Sequence, residues 1–465
     1  MNFDRYIEEL SGDIIKTTQE LVKIKSVESA PVEGGPFGQG VKDCLTKALE
    51  ICQSMGFKTK NVDGYAGYAE YGNGKDLIGI LVHLDVVPEG TGWEHNPYGA
   101  DIIDGKMYGR GTSDNKGPAV SVLYALKLSK NLKVDFNKRI RIIFGCNEET
   151  GSKGIEYYAK HEEIPSCGFT PDGLFPIINS EKGILRIDLI KDFKNEKIVP
   201  GFIRLISLNG GTAPNIVPDF CECKIELTNN SIKSIKDAFG KYEYKDDLEI
   251  EFSNGICIIK SKGFSVASSI PEKGKNAITR LLEFLSKFTF SKKSLNEYFQ
   301  FLSKNIGQEY NGKTFGIQMK DDISGVLTVN IGLADINEEK GTVTLDIRYP
   351  VKRTGDEIIG TLKKKTDNSK IILKKRDEKK PLYVPENHFM IKILSKVYEE
   401  VTGTKAELLS IGGGTYARAL DNMVAFGPLF PGRQILAHQK NEFLYLEDLV
   451  KMTKVYVKAI EALVE

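Results

Sequence analysis

Apolar and polar positions change rhythm twice along the chain. Over 4–24 and 41–55 apolar residues recur every three to four positions, which predicts two amphipathic helices, the second stopped at Gly56. Residues 57–62 and 65–71 read as short strands. Residues 77–84 form a continuous apolar run closed by Asp85, the pattern of a strand covered on both faces. A helix over 115–130 follows, with Pro118 in its first turn, then a second buried strand over 139–146 and a polar loop over 147–152. Strand, polar turn and helix in repetition predict an α/β unit: a mostly parallel mixed sheet flanked by helices, with ligands outside the carboxyl ends of its strands.

From about Ser180 the texture changes. Strand patterns over 184–190, 202–208, 221–227, 248–260, 325–333 and 342–348 alternate with helical ones near 231–239, 275–288, 293–305 and 356–365. This Lys-rich block contains no His. Near Pro381 the α/β texture returns, with helices over 387–402 and 446–464. The chain therefore reads as a catalytic domain in two parts, 1–179 and 381–465, interrupted by an inserted α+β domain over 180–380.

Composition narrows the function classes. Of 465 residues, 41% are apolar and 27% charged, as in a folded globular chain. The 64 Lys+Arg and 63 Asp+Glu cancel to +1, so no field draws nucleic acid or an anionic membrane. No apolar run approaches the ~20 residues that cross a bilayer, and the first twenty residues lack a secretion-signal pattern. Seven scattered Cys suit a reduced, cytoplasmic setting. Cys44 and Cys52 read as core, while Cys221 and Cys223 are read as facing opposite sides of one strand, unable to share a metal. The basic runs 363–365 and 374–376 read as solvated surface.

With only five His in the chain, each matters. Segments 83–88, 111–117, 147–152, 170–173 and 437–442 are polar, and the first four follow a predicted strand or open a helix. They supply two imidazoles and several carboxylates, an N/O donor set for zinc or a neighbouring divalent metal. The count fits two ions: His83, Asp114 and Asp172 for one, and Asp114, Glu149 and His438 for the other. A bridging Asp114 would set them roughly 3.5–4 Å apart around a shared hydroxide. Asp85, two residues from His83, is placed to orient that imidazole through its second ring nitrogen. Of the adjacent Glu148 and Glu149, one can ligate while the other takes a proton from the water as general base. Singly, these residues read as helix caps, turns or solvated pairs; jointly they mark strand-to-loop junctions of one domain. His95, His161 and His388 lack such settings and read as structural.

The segments are similar to the signature of the co-catalytic metallopeptidase family that contains carnosinases, aminoacylases and succinyl-diaminopimelate desuccinylase. Within it the chain most resembles the bacterial dipeptidase V branch, the carnosinase-like Xaa-His dipeptidases. The likeness runs nearly the whole length and includes 412–418, 426–428 and 430–432. It implies metal ligands at His83, Asp114, Glu149, Asp172 and His438, Glu148 as base, Asp85 as orienting carboxylate, and a cis peptide after Asp114. It also implies that the insertion is a lid of two related halves, which lets a monomer imitate the family's dimer. Matching its motifs, Asn215 and Arg348 would reach the substrate, Arg348 as partner of a peptide's terminal carboxylate. The glycine run at Gly412, Gly413 and Gly414 would add backbone N–H donors.

One position departs from the family pattern. Where a lid stretch Gly-x-Ser-x-His-x-x-x-Pro is expected, with its His donating to the developing oxyanion, this chain has Ala267 between Ser265 and Pro271. Loss of such a donor costs roughly 10²–10³ in kcat. The intact flanks favour a deliberately altered position over a natural divergence that uses another donor. The expectation is thus a cytoplasmic two-metal dipeptidase of reduced turnover, with zinc favoured and manganese or cobalt acceptable. Its rivals are an N-acyl amino-acid deacylase or desuccinylase of the same family, and a metal-loaded peptide-binding protein without efficient turnover.

Overall fold

The long apolar run becomes the strand Leu77–His83, every residue of which is buried. Arg139–Gly145 and Cys167–Thr170 pair with it in parallel, and Met423–Ala425 joins the latter in parallel. Antiparallel strands extend the sheet: Ala66–Tyr71 and Lys58–Val62 beyond Arg139–Gly145, and Ile177–Glu181 beyond Met423–Ala425. The sheet is therefore mixed with a parallel centre, as the strand–turn–helix rhythm requires. Among its flanking helices are Phe3–Val22, Gln39–Ser54, Gly117–Asn131, Phe389–Thr402 and Leu446–Val464. Ile80, Val82 and Ile142 of the sheet share one core with Val120, Leu123, Leu394, Val455 and Ile460 of the helices. Each such side chain contributes about 1.5–3 kcal/mol over an exposed one.

The computed structural model describes residues 3–228 and 231–465. Two compact units emerge: residues up to Ser180 with Tyr383–Leu409 and Gly414–Glu465, and Glu181–Leu382 with Ser410–Gly413. The second unit is built on an antiparallel sheet in the order Leu248–Ser253, Ile256–Lys262, Phe220–Glu226, Arg204–Gly210, Thr328–Asn337, Lys340–Tyr349, Gly183–Asp192, Ile372–Lys379.

Its two halves repeat one plan. In the first, the pair Arg204–Gly210 and Phe220–Glu226 leads through helix Ser231–Gly240 to the outer strand, and Ile256–Lys262 fills the gap. In the second, Thr328–Asn337 and Lys340–Tyr349 lead through helix Gly355–Asn368 to the outer strand Ile372–Lys379. There the gap is filled by Gly183–Asp192, from the start of the unit. The halves meet at the antiparallel pairing of Ser207–Gly210 with Ala334–Asn337.

Several sequence expectations need correction. Residues 248–260 are not one strand but a hairpin, because Asn254 and Gly255 both take positive φ (49° and 78°) and turn the chain. The strand expected over 325–333 breaks at Leu327, and the long strand begins at Thr328. The helix expected over 275–288 is shorter, Ala277–Leu285, since the Asn276 side chain accepts from the N–H groups of Ile278 and Thr279 and caps it. Cys221 and Cys223 do not face opposite sides: residues two apart on a strand share a face, and both lie in the second unit's core. The basic run 374–376 lies on the outermost strand of its sheet, where exposed charge discourages pairing with another edge. Among the described residues no helix is long and apolar enough to cross a membrane.

Candidate metal centre

Three neighbouring parallel strands deliver their carboxyl ends to one place. His83 ends its strand opposite Gly145, Glu148 and Glu149 lie in the turn after Gly145, and Asp172 follows Thr170. A fourth segment brings Asp114, whose peptide bond to Asn115 is cis, just ahead of helix Gly117–Asn131. The fifth carries His438 and Asn441, both at positive φ (65° and 57°). Asn115, buried and not foreseen, ties three of these segments together. Its Oδ1 accepts from the His83 N–H at 3.3 Å, and its Nδ2 donates to the Pro171 carbonyl at 2.6 Å.

The Asp114 carboxylate is divided between two imidazoles: Oδ1 lies 3.0 Å from His83 Nε2, and Oδ2 lies 3.3 Å from His438 Nε2. His83 Nε2 is also 3.6 Å from Asp172 Oδ1, and His438 Nε2 is 2.9 Å from Glu149 Oε2. Ligand atoms of His83, Asp114 and Glu149 lie within 4.8 Å of one another, as do those of His83, Glu148 and Asp172. All five expected ligands, and Glu148, are thus brought together. His83 is shared between both groups rather than confined to one.

Asp85 acts differently from expectation. The His83 Nδ1 meets the Asp85 main-chain oxygen at 3.0 Å, while the nearest Asp85 carboxylate oxygen is 3.7 Å away. That carboxylate instead accepts from the N–H of Glu148 at 3.1 Å and of Glu149 at 3.0 Å. The same residue therefore fixes the imidazole through its backbone and the Glu148–Glu149 turn through its side chain.

Crowding of carboxylates in a buried site moves their proton affinities. Burial, with Asp172 beside it, pushes Glu148 up to about 8. Burial also raises Asp172, to about 6, against the hydrogen bond from His83. Hydrogen bonds with Asp114 and Glu149 raise His438 to about 10. Burial opposes the charge on His83, but Asp114 and Asp172 hold it well above its ordinary value. Burial likewise opposes the charge on Asp114, yet His438 and His83 keep its carboxyl low.

The donor set fits divalent cations. Five carboxylates (Asp85, Asp114, Glu148, Glu149, Asp172) stand against two imidazoles, and Glu149 Oε1 is buried with no hydrogen-bond partner among the described residues. An oxygen in that state costs about 1–3 kcal/mol unless something binds it. Beside Asp114 and Asp172 opens a cavity of about 180 Å³ walled by Leu174, Pro428, Leu429, Ile435, Leu436 and Phe443. Tyr416 closes another side, its N–H donating to Asp172 Oδ2 at 3.2 Å and its ring standing edge-on to His83. Gly145 makes room for it, since a Cβ there would overlap the Tyr416 hydroxyl.

The three remaining histidines have structural settings. His388 caps helix Phe389–Thr402, His161 Nδ1 lies 2.8 Å from the Tyr157 carbonyl oxygen, and His95 lies against the Tyr108 ring.

In the second unit, the residues expected to touch substrate share one region. Ala267 is exposed and forms an isolated bridge with Ile216, and the Ser268 N–H donates to the Asn215 carbonyl at 3.0 Å. Arg348 is buried and donates to Asp346, to Ser268 Oγ at 3.0 Å and to the Gly412 carbonyl at 2.9 Å. Asp346, fully buried, also accepts from Arg186 and Ser268. Gly412 permits a close approach, for a Cβ there would lie 2.7 Å from that of Ser269. At Gly413 a Cβ would meet nothing nearer than Ile411 Cδ1 at 4.0 Å, while Gly414, in the first unit, lies against Arg418. The network around Asp346 was not foreseen; its sequence signal is the i, i+2 spacing of Asp346 and Arg348 on one strand.

Two imidazoles and several carboxylates gathered at and beside the carboxyl ends of parallel strands form a donor set suited to divalent metal. Residues 79–462 match the model of Peptidase family M20/M25/M40, and the chain belongs to this family of metal-dependent peptidases. It is 40% identical over 465 residues to "Putative dipeptidase YtjP" of Bacillus subtilis (strain 168), covering 99% of each chain. To a "Putative dipeptidase" of Staphylococcus epidermidis it is 35% identical over 460 residues, 98% of each. The fold is similar to that of human carnosine dipeptidase 1, with a TM-score of 0.56 and 16% identity over 99% of this chain and 98% of that one. It is also similar to aminoacylhistidine dipeptidase from Vibrio alginolyticus, with a TM-score of 0.59 and 13% identity over 97% and 95%.

Proposed function

We propose that the chain hydrolyses dipeptides at a centre for two divalent ions, held by His83, Asp114 and Asp172 and by Asp114, Glu149 and His438. The observation that carries this reading is the division of the Asp114 carboxylate between two imidazoles, the arrangement a shared ligand needs. Two such ions would polarise the scissile carbonyl and make water acidic enough to attack at neutral pH. Zinc suits the imidazoles best, and manganese or cobalt suit the oxygen-rich remainder.

Glu148 is the general base. A carboxylate next to the metal ligand Glu149 is placed to take a proton from the attacking water and return it to the leaving amine. Asp85 holds the Glu148 backbone for this task. The apolar cavity beside Asp114 and Asp172 suits an apolar side chain next to the scissile bond.

The inserted domain, residues 180–380, acts as a lid that reads the substrate's far end through Asn215 and Arg348, with N–H donors of Gly413 and Gly414, which lie outside it in sequence, in support. Asp346 fixes the plane of the Arg348 guanidinium by taking its Nε and Nη2 donors, so a substrate carboxylate would be met at Nη1. Ala267 leaves the oxyanion short of one donor, so turnover is reduced. A dipeptide substrate is supported by the names of the relatives, and a reducing, cytoplasmic setting by the free, buried cysteines. The protein acts as a monomer.

Metal analysis and a substrate panel test this. Metal-replete protein should carry two ions per chain, chelation should abolish dipeptide cleavage, and Glu148→Gln should lower kcat by roughly 10²–10⁴. Equal cleavage by chelated protein would defeat the reading. Preference for N-acetyl or N-succinyl amino acids over free dipeptides would replace the dipeptidase with a deacylase.

A further inference from the structure

The segment that presents His438 ends in Glu442, a carboxylate with no exposed surface and no role in the chemistry above. All its side-chain contacts lead to one loop. Oε2 accepts from Arg110 Nη1 at 2.7 Å and from the Gly111 N–H at 3.2 Å. Oε1 accepts from the Ser113 N–H and Ser113 Oγ, both at 2.9 Å, and from the Asp114 N–H at 3.2 Å. The main chain joins in, with the Gly109 N–H donating to the Glu442 carbonyl at 2.9 Å.

The loop 109–114 is therefore wrapped around a single carboxylate, and the last donor is the backbone of Asp114 itself. Gly111 adopts φ 87°, a left-handed conformation, and a Cβ there would lie 2.8 Å from Val86 Cγ1. A buried carboxylate is tolerated only when paired and fully hydrogen-bonded. Arg110, held against the Trp93 ring, provides the charge, and four further donors occupy the two oxygens. Only four positions separate Glu442 from His438. One short segment thus grips the Asp114 loop from behind and offers an imidazole to Asp114 Oδ2 from the front.

We propose that Glu442 is a positioning residue that sets the spacing between Asp114 and His438 and thereby the affinity of the centre for metal. The proposal rests on the two-ion reading above. Glu442 touches no reacting atom and works through Asp114. It differs from ordinary packing because five directional bonds, rather than volume, fix the loop.

Cobalt(II) titration of the full chain, followed by visible absorbance, tests this without reference to turnover. Glu442→Gln keeps the shape but points an amide N–H₂ at backbone donors. It should weaken cobalt binding by about 10–100-fold and change the absorption band, while the metal-free protein still unfolds cooperatively. Ser113→Ala, which removes only the hydroxyl donor, should shift affinity in the same direction by less, and decides the matter if the Glu442 variant does not fold. Cobalt affinity and spectrum unchanged in Ser113→Ala, and in Glu442→Gln where it folds, would overturn the positioning role alone. A parent chain that binds no cobalt would overturn the two-ion reading and this inference with it.

Discussion

His83 is held by the backbone of Asp85 and not by its carboxylate: Nδ1 lies 3.0 Å from the main-chain oxygen and 3.7 Å from the nearest carboxylate oxygen. The carboxylate is committed to the N–H groups of Glu148 and Glu149. Asp85→Asn should therefore spare the imidazole and loosen the glutamate turn, since an amide can accept one of those bonds but opposes the other. A fall in kcat of about 10–100-fold, with metal affinity less affected than in His83→Ala, is expected from steady-state kinetics and metal titration. Metal loss as complete as in His83→Ala would show that the carboxylate orients the ring after all.

Metal and proton compete for the same imidazoles. In the metal-free cluster His438 is raised to about 10, so it is an imidazolium at pH 7, and, against burial, Asp114 and Asp172 shift His83 in the same direction. A ligating imidazole must be neutral, so metal uptake at pH 7 expels protons and affinity rises with pH. Titration calorimetry in buffers of different ionisation enthalpy should detect that release, and His438→Gln should lower it by about one proton per chain. The stability of the metal-free protein runs the other way. The His438 contribution is complete below its unfolded value of 6.5 and is lost as pH rises through about 10. Uptake without proton release at pH 7 would contradict this assignment.

The elements that place the centre were legible because they obey strong local rules. The run at Leu77–His83 has no polar residue before His83, and its length of seven suits a strand buried on both faces rather than a helix. The polar segments then had to lie at strand ends. Contacts between segments were not legible. Asp85 lies two residues from His83 whichever atom makes the bond, and only three dimensions show the backbone doing so. Asn115 and Glu442 act on residues up to 332 positions away, a relationship no local pattern encodes. The hairpin at Asn254 and Gly255 is different: the Asn-Gly pair is a direct turn signal, and the alternating residues on both sides masked it as one strand.

Asp346 anchors two guanidiniums, and its removal should cost more than the loss of one surface pair. It is fully buried, Arg348 nearly so, and Arg186 is more exposed. Asp346→Ala would leave Arg348 buried without its carboxylate, a change that costs about 3–5 kcal/mol. Thermal and urea unfolding of the full chain should report that loss. If Arg348 reads the substrate's carboxylate, KM for dipeptides should rise further than the stability change explains. Asp346→Asn, which keeps one acceptor, should fall between the variant and the parent on both measures.

Ala267 offers the sharpest test of turnover. The side chain is exposed, and its backbone is fixed on both sides, by the bridge to Ile216 and by the Ser268 N–H bond to Asn215. A histidine there meets solvent, not core, so Ala267→His should change stability by no more than about 0.5 kcal/mol. An imidazole that donates only to the developing oxyanion adds binding in the transition state and not in the ground state. Steady-state kinetics on dipeptides should then show kcat rising roughly 10²–10³-fold at similar KM. A lower KM at constant kcat would instead mean that the new ring binds the substrate's resting form. No change in either would mean that another group already supplies the donor.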